Sequence, residues 1–318
     1  MTQTVNRRSF LAAGATTAAV VFGGRNAKAV DESKNLIDAH SHVWDKDLKK
    51  YPLAHDLTEK DLKPLTFTPQ ELLDTCRPHG VNRVVLIQHT IYHRFDNSYI
   101  CDCIAAHPGV FSGVAVIDHL ADNPAAEVLK QKARGIRGFR IVPRDWHGDQ
   151  SDLPPEKWLA SKGMQTAWKT AGENGLAMCP LINPQYLGSV ADACGKFPDT
   201  NVVIDHFGRV GIDGTIRDKE LDALCALAKH KNAHVKISAY YALGKKKPPY
   251  TDLIPMIKRV MDAFGPERCM WASDAPYQVV KPHTYGPSIN LIKSGIDGLS
   301  QGDKEWLLRR TAEKVYFA

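Results

Sequence analysis

The 318-residue sequence lacks several patterns that would place it in a class at once. Its seven cysteines include no Cys-x-x-Cys pair, the spacing typical of structural zinc sites. No Gly-x-Gly-x-x-Gly follows the first apolar segment, so the usual dinucleotide fingerprint of a doubly wound sheet is missing. No proline-rich or low-complexity linker divides the chain. We therefore expect one domain over residues 30–318.

The first 29 residues have the layout of an export signal rather than of a folded segment. Arg7 and Arg8 precede Ser-Phe-Leu, a short apolar stretch follows, and Ala-Lys-Ala ends at Ala29. The paired arginines are similar to a twin-arginine signal, and the apolar stretch is far shorter than the ~20 residues of a spanning helix. We predict recognition by the twin-arginine export machinery, cleavage after Ala29 and a periplasmic chain with no membrane span.

Strong positive charge is also absent once this segment is removed. The formal charge of the whole chain is +6, and four basic residues with no acid lie in residues 1–29, which leaves +2 for the remainder. Nucleic-acid binding needs a clustered basic face, and none is visible. We therefore expect a small-molecule substrate as partner and no nucleic acid.

The cysteine count is odd, and Cys101 and Cys103 are too close to staple a fold. Twin-arginine substrates are exported folded, so their thiols can be buried before they reach an oxidising compartment. We predict mostly free, buried cysteines.

Eight short apolar segments alternate with polar, amphipathic stretches long enough for helices, the pattern of buried parallel strands. The predicted strands are Leu36–His42, Asn82–Gln88, Phe111–Asp118, Gly135–Val142, Gly175–Ile182, Asn201–Phe207, His234–Tyr240 and Arg268–Asp274. Helix starts are predicted at the capping box Thr68–Glu71, at Pro154–Glu156 and at Asp252. Eight such units predict a single-domain α/β (β/α)₈ TIM barrel, with the doubly wound sheet as the alternative.

Four chemically active side chains fall at the predicted strand ends. His40 and His42 end the first strand, His206 ends the sixth and Asp274 ends the eighth. Catalytic groups of such barrels stand at the carboxyl ends of the strands, and alternation lets residues two apart share a face. We predict that these four residues form the catalytic set.

The segments DAHSHVWD, VIDHFGRV and RCMWASDAPY, in this order and at these strand ends, resemble the amidohydrolase superfamily. Within it they are similar to the amidohydrolase-related branch of sugar lactonases and 2-pyrone-4,6-dicarboxylate lactonases. The resemblance covers residues 35–318. It implies a TIM-barrel hydrolase that opens a lactone or related cyclic ester, with Asp274 activating water as general base.

The chain departs from the two-metal members of that superfamily, which use a Lys or Glu after strand four and a His after strand five. Here strand four ends Phe-Arg-Ile-Val and strand five ends Met-Cys-Pro-Leu, so a binuclear site is not expected. His40, His42 and Asp274, with or without His206, could hold one zinc or manganese ion. The same residues could act with no metal, and we expect that none is required.

Substrate contacts are predicted from the residues that follow other strands. Arg140 ends strand four, and the resemblance implies that it binds a substrate carboxylate. Other candidates are Arg144 after strand four, Gln88 with His89 after strand two, and Tyr240 with Tyr241 after strand seven. Asp38 and Asp205 are candidate partners that orient an imidazole, Asp38 having a strand-end turn as its alternative role.

Two other functions fit the same residues. A decarboxylase of the superfamily would use three histidines and an aspartate around one metal. A barrel that binds a small acid without turnover is the second alternative, although binding alone would not require a base beside electrophiles. The sequence does not determine the oligomeric state.

Overall fold

Eight parallel strands form a barrel in the computed structural model of the protein, which describes residues 35–54 and 57–318. Each strand pairs with the next along the chain, as predicted for a TIM barrel. The strands are β1 (Leu36–Ser41), β2 (Val81–Ile87), β3 (Phe111–Ala115), β4 (Ile136–Ile141), β5 (Ala177–Pro180), β6 (Asn201–Ile204), β7 (Ala233–Ile237) and β8 (Cys269–Trp271).

The barrel closes between β1 and the segment that follows β8. The backbone N–H of His42 donates to the carbonyl of Ala275, and the N–H of Asp274 donates to the carbonyl of His40, each at 2.8 Å. Ser41 forms an isolated parallel bridge with Ala275 beside them. The strands are thus joined into a near-closed ring, and the doubly wound alternative is excluded.

Helices follow the strands and cover the outside of the barrel. Their bounds are α1 (Pro69–Cys76), α2 (Thr90–His93), α3 (Ser98–Ala106), α4 (Pro124–Ala133), α5 (Lys162–Glu173), α6 (Leu187–Lys196), α7 (Asp218–Ala226), α8 (Ile254–Phe264), α9 (Tyr285–Asn290), α10 (Gln301–Glu305) and α11 (Thr311–Tyr316). The capping box at Thr68 is confirmed, because its hydroxyl accepts from the N–H of Glu71 while the Glu71 carboxylate accepts from the N–H of Thr68.

Two predicted helix starts differ from the structure. The segment that begins at Pro154 makes turns, and α5 starts only at Lys162, where the hydroxyl of Ser161 accepts from the N–H of Met164. The hydroxyl of an N-cap serine accepts from a free N–H of the first helical turn, which a proline side chain cannot do. The helix therefore begins after Ser161. Asp252 lies in a 3₁₀ turn, Thr251–Leu253, that leads into α8.

A bulge in β1 sets which side chains enter the barrel. Between Asp38 and Ser41 the strand advances three residues while its partner β2 advances two, from Val84 to Leu86. One extra residue in a strand shifts the alternation of faces. Asp38 therefore points away from the interior. Ala39 packs in the inner cluster, the group of buried side chains inside the barrel that includes Ile37, Val85 and Ile87. His40 faces the barrel mouth.

The cysteine prediction is confirmed. All seven cysteines are free, and six of them are buried, with Cys225 partly exposed. The predicted export signal in residues 1–29 lies outside the described residues and stays a prediction. Within the described part, no helix is both long and apolar enough to cross a membrane.

His234, on β7, gives the barrel a built-in sensitivity to acid. Burial lowers the pKa of its imidazole to about 4 from an ordinary 6.5. The unfolded chain therefore binds this proton at a higher pH than the folded chain, and stability falls as pH drops from 6.5 towards 4. This one group contributes about 1.4 kcal/mol per pH unit in that window.

We predict that His234→Gln lowers the unfolding free energy at about pH 8 through lost packing, and that this deficit shrinks on going to about pH 5. Glutamine fills the site without titrating, so the variant does not lose stability through this proton. Urea unfolding at both pH values measures the difference. A deficit that is the same at both pH values would contradict the assignment.

Candidate active site

The structure brings the four predicted strand-end residues together. The Oδ1 atom of Asp274 lies 3.4 Å from Nε2 of His40 and 3.3 Å from Nε2 of His42. The Oδ2 atom of Asp274 lies 3.7 Å from Nε2 of His206. All four side chains are buried, so the cluster forms at the floor of the barrel mouth.

Two of these residues lie in the turns after the strands to which the sequence assigned them, and His42 lies one residue beyond the end of β1. β6 ends at Ile204 and β8 ends at Trp271, so His206 and Asp274 stand in the connecting turns. Both have left-handed backbones, with φ of 52° and 65°. Such conformations are costly for residues with a side chain and occur often at functional sites, where surrounding contacts hold them.

His42 presents a lone pair to Asp274. Burial lowers the pKa of His42 to about 3 and that of His206 to about 4. The Nδ1 atom of His42 lies 2.9 Å from the carbonyl oxygen of Ile87, to which it can only donate, so its Nε2 carries a lone pair. Burial also raises the pKa of Asp274. The Nε2 lone pair of His42 and the Oδ1 atom of Asp274 thus face each other at 3.3 Å without a donor between them.

This convergence fits a single metal ion. His40, His42 and Asp274 each offer one ligand atom, and these atoms lie within 4.8 Å of one another. The Oδ1 atom of Asp274 has no hydrogen-bond partner in the described part of the chain. Two neutral imidazoles and a carboxylate form a set suited to zinc. An ion would compete with Arg140, whose Nη2 atom lies 2.8 Å from Nε2 of His40.

A buried ion network supports His40 from below. The carboxylate of Asp205 accepts from Nη2 of Arg140 at 3.2 Å and lies 3.0 Å from the ammonium of Lys236. The Nδ1 atom of His40 lies 3.4 Å from the same carboxylate. Burial would raise the pKa of Asp205, but Lys236, then His40 and Arg140, hold it well below its ordinary value. Asp205 is therefore the ionised partner that orients His40, as the sequence suggested.

Lys236 is a part of this network that sequence analysis missed. It lies in the middle of β7, its side chain is fully buried, and its ammonium is 3.2 Å from Nδ1 of His40 and 5.4 Å from the ring centre of Tyr316. The sequence does show a lysine between two apolar residues, Val235 and Ile237, within a predicted buried strand. Such a lysine indicates a buried ion pair, because a lysine is almost never fully buried unless it is paired.

Asp38 has a different role from the one that its position suggested. Its carboxylate touches no imidazole and accepts from the N–H of Ser273 and the hydroxyl of Tyr285, at 2.9 and 2.8 Å. The hydroxyl of Ser41 also donates to it. Asp38 thus joins β1 to the segment after β8, behind the cluster of histidines and Asp274.

Above this floor lies a cavity of about 330 Å³. Three arginines line it, Arg140, Arg144 and Arg209, together with His42, His206 and Asp274. Its remaining walls are largely apolar and include Ile91, Val142, Leu181, Ile182, Ile212 and Leu243. Arg144 stacks on Trp146, whereas the guanidinium of Arg209 has no hydrogen-bond or ion-pair partner within residues 35–54 and 57–318. A cationic cavity with apolar walls suits an anionic, otherwise weakly polar molecule.

Tyr240 does not reach the cavity, and Tyr241 does. Ala239 has a left-handed backbone with φ of 57°, which interrupts the alternation that would have turned Tyr240 inwards. Tyr240 is fully buried in the outer core, whereas the hydroxyl of Tyr241 donates to Oδ2 of Asp274 at 2.7 Å. The prediction that Tyr240 contacts the substrate was therefore wrong, and its neighbour Tyr241 lines the cavity.

Gln88 is a second correction. Val85 and Ile87 pack in the inner cluster, so the parity of β2 turns His89 inwards and Gln88 outwards. The amide of Gln88 donates to the carbonyl of Asp96, which holds the connecting loop. His89 lines the cavity.

Most of the chain matches one known protein family. The family model described as "Amidohydrolase" matches residues 37–318, nearly the whole of the described chain. The chain belongs to the amidohydrolase family. The strand-end histidines and aspartate lie inside the matched region.

Several relatives are lactone hydrolases. An L-fucono-1,5-lactonase of Burkholderia ambifaria is 26% identical over 254 residues, which cover 78% of this chain and 82% of the relative. A 4-sulfomuconolactone hydrolase of Hydrogenophaga intermedia is 22% identical over 240 residues, which cover 76% and 74%.

Solved structures support the fold. A Burkholderia multivorans amidohydrolase with bound zinc superposes with a TM-score of 0.72 at 19% identity and covers 88% of this chain and 98% of its own. At this identity the likeness extends to the barrel alone.

We predict that Lys236→Met and Asp205→Asn each lower the unfolding free energy by about 3–5 kcal/mol, because each leaves a buried charge without its partner. The double variant should cost less than the sum of the two by at least about 1 kcal/mol, since it removes the pair together. Urea unfolding at neutral pH measures all three. Strict additivity would show that the two groups do not interact.

Proposed function

We propose that this chain is a lactonase of the amidohydrolase superfamily that hydrolyses a lactone carrying a carboxylate. The observation that carries the proposal is the pairing of a buried base with a cationic cavity. Asp274 presents an unpartnered oxygen at the cavity floor, and three arginines line the space in which a substrate would lie. The lactone-hydrolysing relatives support the reaction type.

The arginines favour an acid over a neutral sugar lactone. Arg140 is already engaged by Asp205 and His40 at the floor, and Arg144 lies 4.0 Å from the carboxylate of Asp152, which leaves Arg209 as the unpaired guanidinium of the wall among the described residues. A guanidinium binds a carboxylate through two parallel hydrogen bonds. Such a contact would set the lactone ring over Asp274 and against the apolar side chains.

The reaction then uses groups that line the cavity floor. Asp274, held by the hydroxyl of Tyr241, takes a proton from the attacking water, and the oxygen of that water bonds to the lactone carbonyl carbon. Positive charge from Arg140 stabilises the oxyanion that develops. Opening of the ring gives a hydroxy acid. An ion held by His40, His42 and Asp274 would supply Lewis-acid polarisation of the carbonyl.

We predict that Asp274→Asn leaves the fold intact and lowers kcat at least about 100-fold, because asparagine is nearly isosteric but cannot accept the proton. The measurement is a panel of carboxylated pyrones and neutral sugar lactones assayed by acid release, with circular dichroism as the folding control. Wild type should prefer the carboxylated compounds. A fully active Asp274→Asn enzyme would remove Asp274 from the role of base.

A decarboxylase is the second candidate, and the three converging ligand atoms are what favour it. Decarboxylases of this superfamily would need the ion, whereas lactone opening requires less activation and could proceed with Asp274 alone. Carbon dioxide release from aromatic acids distinguishes the two reactions directly.

We predict that the purified chain binds one equivalent of zinc and that His42→Asn or Asp274→Asn abolishes the binding, since each removes one of three ligands. Calorimetry of the metal-free protein with zinc alone measures this. Failure of the wild type to bind zinc would contradict the ligand set. Lactone turnover after chelation then tests the expectation that no ion is required.

A further inference from the structure

His89 and Tyr277 form a hydrogen-bonded pair on the cavity wall that the mechanism above does not use. His89 follows β2 and Tyr277 follows β8, and both line the cavity that contains Asp274. The Nε2 atom of His89 lies 2.5 Å from the hydroxyl oxygen of Tyr277. Tyr277 also packs edge-on against His42, with ring centres 5.9 Å apart, and stacks with Tyr241 at 6.2 Å.

The other nitrogen of His89 fixes the tautomer of the ring. His89 caps the N-terminus of α2, where its Nδ1 atom accepts from the backbone N–H of Tyr92 at 3.2 Å. A backbone N–H can only donate, so Nδ1 carries the lone pair. An imidazolium carries a proton on both nitrogens, so a ring with a lone pair on Nδ1 is neutral. Its single proton is therefore on Nε2.

This tautomer determines what the Tyr277 hydroxyl can do. Because Nε2 of His89 is protonated, it donates to the Tyr277 oxygen, and the hydroxyl hydrogen of Tyr277 is not used in that bond. No other acceptor for this hydrogen is found in the described part of the chain. Tyr277 is partly exposed to the cavity. The hydrogen is thus available to a substrate atom in the cavity that Asp274 also lines.

We propose that Tyr277 is a catalytic residue that donates its hydroxyl proton to the leaving oxygen of the lactone, and that His89 is the positioning residue that orients it. The proposal rests on the proposed lactonase function. It assigns base and acid to different groups, with Asp274 acting on the water and Tyr277 on the ring oxygen.

The proton and electron balance closes with water as the only co-reactant. Water adds to the carbonyl carbon and gives one proton to Asp274. The bond from that carbon to the ring oxygen then breaks, its electron pair stays on the ring oxygen, and the Tyr277 proton moves there. The Nε2–H of His89 stabilises the Tyr277 phenolate. One proton returns from Asp274 through cavity water, which restores both groups.

A leaving-group comparison tests the catalytic role. Tyr277→Phe should lower kcat about 100-fold or more on the panel lactone that wild type opens fastest and whose leaving group is an alkanol. On dihydrocoumarin, whose leaving group is a phenol, the loss should be less than about tenfold, because a phenolate departs with little help from an acid. A purely structural role would lower both rates alike, and equal losses would overturn the proposal.

The matched control is Tyr186→Phe, which removes a hydroxyl that donates to the carbonyl of Leu153 and does not line the cavity. It should leave both rates unchanged. A Tyr186→Phe enzyme with the same leaving-group dependence as Tyr277→Phe would also overturn the assignment.

A second measurement needs no substrate and separates this proposal from the proposed function. Nitrogen-15 NMR of histidine-labelled protein should show His89 protonated at Nε2 and unprotonated at Nδ1, with the Nε2–H signal shifted in Tyr277→Phe. Protonation at Nδ1 would overturn the proposal even if wild type is an active lactonase. The predicted tautomer with no turnover of any lactone would instead overturn the lactonase function, and with it the catalytic role of Tyr277.

Discussion

Two backbone hydrogen bonds both close the barrel and set the geometry of the catalytic cluster. The carbonyl of His40 accepts from the N–H of Asp274, and the N–H of His42 donates to the carbonyl of Ala275. The same peptide groups that join the first strand to the last therefore fix the distance between the imidazoles and the carboxylate. Asp38 strengthens this seam from the outer side through Ser273. The relative positions of these side chains therefore depend on how the barrel closes and not on the conformation of one loop.

Charge balance explains how so many ionisable groups can share a buried floor. Asp205 lies between the guanidinium of Arg140 and the ammonium of Lys236, and burial lowers the pKa values of His42 and His206. Buried ions are tolerated only when they are paired and hydrogen-bonded. In the network under His40, Asp205 is ion-paired with both Arg140 and Lys236, whereas Oδ1 of Asp274 has no hydrogen-bond partner within residues 35–54 and 57–318. The unsatisfied atom lies where chemistry would occur.

The order of the strands and the identity of the strand-end residues followed from the sequence, because buried parallel strands and their carboxyl ends have a regular pattern. The substrate contacts did not follow as well. Tyr240 and Tyr241 were both candidates, and the left-handed backbone of Ala239 brings Tyr241 to the cavity and not Tyr240. Lys236 and Tyr277 were missed because their roles come from contacts with β1 and β2, far away in the chain. Backbone conformation after a strand and pairing across the barrel have no local pattern in the sequence.

The turn after β6 has four consecutive residues with positive φ, from His206 to Arg209. Each non-glycine residue in this conformation costs about 1–2 kcal/mol, and a β-branched residue would cost more. The turn carries His206 at one end and Arg209 at the other, and both line the cavity. A substitution at either residue that changed the turn would therefore also displace the other. Attempts to retarget this barrel by mutant libraries would be better directed at the apolar wall, for example Ile91 and Leu243, than at this turn.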